Sequence, residues 1–537
     1  MVPVAQRLRR SLSDIQADYD AGNTAELEAL MRAWQGVKAL PASDPRSFFT
    51  LGGYHGEPFR GPGETDPQWW GGYCQHGTVL FPTWHRAYLF ELENALRSIP
   101  GCADVTLPFW DECSADTLAN GIPSALTAEF FTLDGQQIPN PLRSFVLPVD
   151  IVDQVQGDNP LYSKPAGYET VRYPLSGLVG TAADRAATAA HNAQYADPVQ
   201  NVAILNGNIT DWLTRTVTFP GGGTSGQVYG KFLRCLDAPS YTLFSNTTSM
   251  GAWNKANPAN LVTALESPHN SIHLAVGGFD IPGARLSPIP GANGDMGEND
   301  TAGLDPIFYF HHCFIDYTFW TWQRRHGATT ALTIDPQDPG AVYVLGGNNA
   351  PPAGADANAP ITMQTTLDPF LKADGTSYTS TDCINIETLG YNYGPGSLDS
   401  YAQSPQVERL ALARTAQQRT LHVAGINRGK VRGSFVIAAY ATIDGQRELI
   451  GHEAVLSRWQ VAGCANCQSH LGATADFVVS PGKAADGHFE VEVRTRDSVL
   501  GAGALAADGA PVVATRASKA LTAALVAPVV SLTLELH

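Results

Sequence analysis

The chain has 537 residues, 44% of them hydrophobic and only 16% charged, with a net charge of −17. That length exceeds what a single hydrophobic core usually supports, and the apolar content excludes a disordered chain. The acidity, without any Lys/Arg tract, argues against a nucleic-acid partner and reads as solubility, and no stretch approaches the roughly 20 apolar residues of a membrane span.

The opening residues, MVPVAQRLRRSLSDI, lack the apolar centre of a secretion signal. Eight cysteines are scattered at Cys74, Cys102, Cys113, Cys235, Cys313, Cys383, Cys464 and Cys467, so the expectation is a cytoplasmic, mostly reduced protein. Leu27, Leu30, Met31, Trp34 and Val37 recur at three- and four-residue spacing and predict a helix over Thr24 to Ala39. SFFTLGGYHGEPFRGPG, with His55 inside it, reads as a glycine-rich loop, and GGYCQH around His76 as another. Pro82 opens a second helix, PTWHRAYLFELENALRSIPG, with His85 in its first turn and a stop at Pro100-Gly101. Signals are weak from Cys113 to Gly230, apart from short helices around Val202 to Thr214.

Ser267-Pro268, a serine cap followed by proline, starts a third helix carrying His269 and His273. Glycine-rich loop follows to Thr301. The stretch Leu304 to Arg325, LDPIFYFHHCFIDYTFWTWQRR, is the most distinctive in the chain. Asp305 suits a helix cap and Pro306 a first turn, and an aromatic run this free of charge predicts a helix buried on most sides. Neighbouring helix residues point about 100° apart, so one of His311 and His312 is expected to face an inner site, and that one is His312. Loop returns to Gly390, with PPAGADANAP its least structured part. After Tyr391-Asn392-Tyr393 the character changes to strands such as GSFVIAAYA and HFEVEVR, with Asp444-Gly445 as a hairpin turn.

The histidines carry the chemistry. His269 and His273 stand i,i+4 on one helix face, the spacing that lets one rigid element supply two metal ligands. Six of the fourteen histidines, His55, His76, His85, His269, His273 and His312, sit beside aromatics, glycine or proline in the expected core. They divide into two triads by position in the chain. Three imidazoles leave open positions on a metal, and an all-imidazole set suits copper or zinc. The scarcity of carboxylates at ligand spacing argues against a di-iron bundle.

These residues resemble the tyrosinases and related polyphenol oxidases, the type-3 copper proteins. The resemblance rests on YHGEPF at His55, CQHGTVLFPTWHRAYLFELE across His76 and His85, LPFWD at Trp110, ESPHNSIH across His269 and His273, LDPIFYFHHCFID at His312, and Tyr391-Asn392-Tyr393. It implies a mainly α core, a four-helix bundle with long loops, spanning residues 1–395. A linker over 396–410 and a C-terminal β-sandwich-like domain over 411–537 would follow. Two copper ions would be held by His55, His76 and His85 and by His269, His273 and His312, with dioxygen as co-substrate. The enzyme would hydroxylate small monophenols and oxidise o-diphenols to o-quinones, the chemistry that leads to melanin. Catechol oxidase, o-aminophenol oxidase and, remotely, a haemocyanin-like carrier are the alternatives within this resemblance, and a zinc hydrolase the alternative outside it. Assembly into a homo-oligomer is left open.

The resemblance also assigns finer roles. Cys74, two residues before His76, matches the fungal-type cysteine that forms a thioether to a ligand ring; a free buried thiol or a zinc pair are the other readings. Glu266 and Asn270 match residues that orient a water to take the phenol proton, since a phenol with pKa near 10 needs a base before it binds metal as phenolate; helix capping is the plain alternative. Cys464 and Cys467 form a CxxC that is a disulfide, a copper-loading point or an accident. Val455, Leu456 and Trp459, just before it, are the candidate shield of the copper pocket. Two departures stand out. The family's Asn-Val-Asp-Arg is here Phe314-Ile315-Asp316-Tyr317, which puts the salt link of Asp316 in doubt. A common tryptophan after PFWD is Glu112, a change expected to touch no ligand.

Overall fold

The computed structural model describes residues 6–56, 72–152, 163–218, 224–225, 227–279, 293–343, 358–402, 419–443, 445–479, 488–496, 499–505 and 532–537. Most of the expected loops over 57–71 and 280–292, most of PPAGADANAP and the linker beyond 402 lie outside the described residues.

Helix α1 (Ala25–Ala39) buries all five apolar positions of its three-and-four pattern. Helix α2 (Phe48–Gly56) stands where a loop was expected, and it carries His55. Its glycines serve close approach rather than flexibility. A Cβ on Gly52 would lie 2.7 Å from the Gly303 carbonyl oxygen, and one on Gly56 would collide with that of Asn299. Helix α3 (Phe81–Arg97) has Pro82 in its first turn, as its sequence predicts. Helices α4 (Pro198–Thr214), α5 (Val228–Cys235) and α6 (Thr247–Ala256) lead to α7 (Glu266–Gly277), which carries His269 and His273. Ser267 is no cap: its hydroxyl donates to Glu453 Oε1 at 2.6 Å, and α7 begins one residue earlier.

Helix α8 (Ile307–His326) is buried from Ile307 to Gln323 and closes on Gly327 in the left-handed region. Each large apolar side chain so buried stabilises the fold by about 2 kcal/mol. Asp305 receives the Ile307 N–H at 3.1 Å and is gripped by Arg172 at 2.6 and 2.8 Å. The doubt over Asp316 is removed. Arg86 on α3 binds it at 2.6 Å, Arg9 lies at 3.5 Å, and the hydroxyls of Tyr391 and Tyr393 donate to it at 2.7 and 2.6 Å. The missing arginine of the motif is replaced in space from elsewhere in the chain.

The C-terminal domain is two antiparallel sheets. Strands β1 (Arg419–Asn427), β2 (Phe435–Ile443), β3 (Gln446–Val455), β4 (Gly472–Val479), β5 (Phe489–Arg494), β6 (Val499–Leu505) and β7 (Thr533–Leu536) are ordered β3-β2-β5-β6 and β4-β1-β7. Ile443 pairs with Gln446 across the two strands, and Asp444 of the expected turn lies outside the described residues. β2 explains why GSFVIAAYA does not alternate in polarity. Ile437, Ala439 and Ala441 fill the sandwich, while Val436, Ala438 and Tyr440 join the helical core, so both faces are buried. Polar links also tie the sheets to the helices: Lys231–Glu453 at 2.7 Å, Arg496–Glu298 at 2.6 Å and Arg458–Asp300 at 2.9 Å. Among the described residues no helix is long and apolar enough to cross a membrane.

Candidate metal centre

Two groups of buried histidines meet in the helical core. His55 ends α2, His76 sits on the loop before α3, and His85 lies one turn into α3. His269 and His273 project from α7, and His311 and His312 from α8. Within each group the available ring nitrogens lie within 4.8 Å of one another. The groups abut: the rings of His85 and His312 stack at 4.5 Å, and those of His76 and His269 lie 5.3 Å apart.

Hydrogen bonds fix which nitrogen faces inward. His85 Nδ1 meets Phe81 O at 2.8 Å, His273 Nδ1 meets Met296 O at 2.9 Å, and His269 Nδ1 meets Asn270 Oδ1 at 3.0 Å. Each bond places the ring proton on Nδ1 and leaves an Nε2 lone pair. In the second group His312 Nε2 lies 3.1 Å from His269 Nε2 and 3.3 Å from His273 Nε2. Three nitrogens bound to one first-row ion at about 2.0 Å each would stand about 3.2 Å apart. In the first group His55 Nδ1 and Nε2, His76 Nε2 and His85 Nε2 have no hydrogen-bond partner among the described residues. Buried polar atoms left this way are costly without a ligand. Burial, then the neighbouring rings, holds His55, His76, His269 and His312 well below the ordinary histidine range; His85 falls to about 3 and His273 to about 4, chiefly through burial. All six rings are therefore neutral at pH 7, the form a metal binds. The residues fit metal ions.

His311 stands beside His312 in the second group of ring nitrogens. Both members of the pair are buried on α8, because rings from α7 surround this helix at two angles. Glu112 explains its place: Oε1 contacts His311 Nδ1 at 2.5 Å, and both side chains are fully buried. Burial pushes the carboxyl of Glu112 up and the imidazole of His311 down. Glu112 touches none of the six expected ligands and meets the second group only through His311. A carboxylate standing where a tryptophan is usual, next to a paired histidine, was the signal available.

The other sequence candidates cluster around this centre. Cys74 is a buried free thiol whose sulfur accepts the Asn299 side-chain N–H at 3.1 Å. Glu266 accepts the N–H of Gly77 at 3.0 Å on Oε1, and the N–H and hydroxyl of Thr247 at 2.8 and 3.0 Å on Oε2. Burial raises its carboxyl, opposed by those donors. Glu266 and Asn270 open onto a cavity of ≈ 220 Å³ between the helical core and the sheets, which Val455 and Leu456 also line. Leu456 further borders a small gap beside Cys74 and His76. The backbone N–H of Trp459 is held by Asp300 at 2.7 Å. Cys464 and Cys467 are joined as a disulfide, and Asn466 between them donates to the Cys74 carbonyl at 2.5 Å.

A helical core that gathers two neutral imidazole groups, roofed by a β domain, defines a histidine-ligated metalloprotein. Residues 45–325 match the family described as the common central domain of tyrosinase. The chain is 52% identical over 500 residues to Tyrosinase HcTyr2 of Hahella sp., covering 88% of each chain, and 42% identical to a tyrosinase of Aspergillus oryzae, covering 87% of each. The solved structure of a tyrosinase from Burkholderia thailandensis at low pH superposes with a TM-score of 0.81 at 48% identity, covering 99% of this chain and 100% of that one. The chain belongs to the tyrosinase family and is a copper-dependent enzyme of it.

Proposed function

We propose that the enzyme holds two copper ions, one by His55, His76 and His85 and one by His269, His273 and His312, and uses dioxygen to hydroxylate monophenols and oxidise o-diphenols to o-quinones. When bound, the copper pair supplies the redox chemistry with dioxygen. The protein's part is to hold neutral ring nitrogens in fixed tautomers, exclude water and manage the phenol proton. Glu266 is suited to the last task. A carboxylate accepts about four hydrogen bonds and Glu266 has three from protein, which leaves a place on Oε1 for a water shared with Asn270. The observation that carries the reading is the convergence of the Nε2 atoms of His269, His273 and His312.

In the same reading residues 1–395 form the catalytic domain, 396–410 a linker and 411–537 a shield, with Leu456 and Val455 as the side chains between solvent and the centre. Trp459, whose backbone N–H is held by Asp300, is the third candidate side chain of that shield. Cys74 tethers the His76 ring through a thioether, its S–H and a ring C–H each giving up a proton while dioxygen takes the two electrons. Cys464 and Cys467, once reduced, pass copper inward past Cys74. The enzyme works in the cytoplasm on small phenols. The test is copper content together with oxygen uptake on tyrosine and DOPA by the full chain. Two coppers and quinone from both substrates are expected; one copper, or zinc without oxygen uptake, would overturn the reading. Turnover of DOPA alone would leave a catechol oxidase.

A further inference from the structure

Arg428 is a half-buried cation with no carboxylate at ion-pair distance among the described residues. It reaches from the turn after β1 into the cavity between sheets and helices, where its Nε–H donates to the His470 carbonyl at 2.8 Å. It forms no ion pair among the described residues. Glu453 is engaged by Lys231 and Ser267, while Glu266 is held by the neutral donors of Gly77 and Thr247 and acts on Arg428 only from beyond ion-pair distance. Burial lowers the pKa of the guanidinium, with Glu266 the largest opposing influence. A half-buried guanidinium whose Nε–H alone is engaged keeps its outer N–H groups free to hold a carboxylate or phosphate in their fork.

The surrounding space says what would complete it. The cavity has a volume of ≈ 220 Å³, and about 150 Å³ already accommodates a benzene ring. Val455 and Leu456 offer an apolar wall and Asn270 and Thr248 polar groups; of the two carboxylates in the lining, Glu453 is paired with Lys231 and Glu266 is tied by Gly77 and Thr247, which leaves the Arg428 guanidinium as the lining cation without an ion pair among the described residues. Leu456 separates this space from the gap beside His76, and Arg428 borders both. An Nη of Arg428 comes within 3.5 Å of where a Cβ on Gly77, the neighbour of His76, would sit.

We propose that this cavity is an antechamber for phenols carrying a carboxylate, with Arg428 binding the carboxylate while the ring lies against Leu456. The inference rests on the dicopper oxidase reading and deepens it, since it makes the β domain a selector of substrate as well as a cover. It predicts a preference by charge: phenolic acids first, neutral catechols next, phenolic amines last.

Two measurements on the full chain test it. The first compares 3,4-dihydroxyphenylpropionate, 4-methylcatechol and dopamine as substrates of the wild type, Arg428→Gln and Arg428→Lys. In Arg428→Gln the KM for the acid should rise at least tenfold relative to that for 4-methylcatechol with little change in the ratio of their kcat values, and Arg428→Lys should recover part of the loss. Equal changes for all three substrates, or none, would overturn the proposal. The second is a calorimetric titration with phenylpropionate, which has no hydroxyl to oxidise. Binding to the wild type that Arg428→Gln abolishes is expected; no binding to the wild type would overturn the antechamber. If no catechol is oxidised at all, the oxidase reading fails while the titration still decides the anion site.

Discussion

The carboxylate of Glu112 lies 2.5 Å from Nδ1 of His311, and both are sealed from solvent. His311 is not one of the six assigned ligands, but its ring packs 5.0–5.1 Å from those of His269, His273 and His312, so the carboxylate that orients it supports the second site from outside, and loss of an outer partner costs a metal site about 10–100-fold in affinity. Glu112→Gln should therefore release copper from the second histidine group faster under chelator dialysis, by about that factor, while the first group keeps its metal. Copper content against dialysis time reads the result. Equal retention by variant and wild type would mean that His311 merely packs beside the site.

Asp316 joins α3, α8 and the Tyr391–Tyr393 strand in one buried network. Removing one partner of a buried ion pair typically costs about 3–5 kcal/mol, because the remaining charge is left uncompensated. Arg86→Met should lower the thermal midpoint clearly, and Asp316→Asn somewhat less, since the amide still bonds the tyrosine hydroxyls. A midpoint unchanged in Arg86→Met would show that Arg9 alone satisfies the carboxylate.

What the sequence revealed and what it hid follow from range. The periods of α1 and α3 and the alternation of β5 are local, so those elements are legible, as are the histidines they carry. The helix around His55 was hidden because glycine normally signals a loop, and only the distant Gly303 and Asn299 backbones explain Gly52 and Gly56. Arg86 as the partner of Asp316 lies 230 residues away, and no local pattern announces it. His311 was set aside by a one-face argument that holds for a helix with a single functional neighbour; α8 is enclosed on every side.

Leu456 is 4% exposed and stands between the cavity and the gap beside His76. Leu456→Ala should open that wall. Steady-state turnover of a bulky catechol such as 4-tert-butylcatechol is expected to rise several-fold, with a stability loss of about 2–4 kcal/mol from the lost side chain. A stability loss without any gain in turnover would place the barrier elsewhere in the β domain.

Asn270 holds the Nδ1 proton of His269 and faces the cavity beside Glu266. Asn270→Gly should lower monophenol turnover at least tenfold more than diphenol turnover, because only the monophenol must be deprotonated against a pKa near 10 before it reacts. Oxygen uptake with tyramine and dopamine measures the split. Proportional losses would assign Asn270 to ring positioning alone.

Docking of the β domain should weaken in acid, but only below about pH 4.5. His452 on β3 packs edge-on against Trp212 at 5.0 Å, with no hydrogen-bond partner for either ring nitrogen among the described residues. Burial, then the cations Lys231 and Arg215, brings its pKa down to about 3 from 6.5. As pH falls from 6.5 towards 3 the ring would be protonated if released and is not when docked, so each unit costs docking up to about 1.4 kcal/mol. Glu298 carries the opposite sign. Burial raises it to about 7 from 4.5 despite Arg496, so docking gains from its protonation between pH 7 and 4.5 and nothing further below. The two effects offset each other down to the ordinary glutamate range, and His452 then acts unopposed. Small-angle scattering of the full chain should show a compact particle at pH 5–7 that expands between pH 4.5 and 3, and a His452→Gln variant that expands less. Expansion already complete at pH 6, or unchanged in the variant, would place the acid-sensitive contact elsewhere.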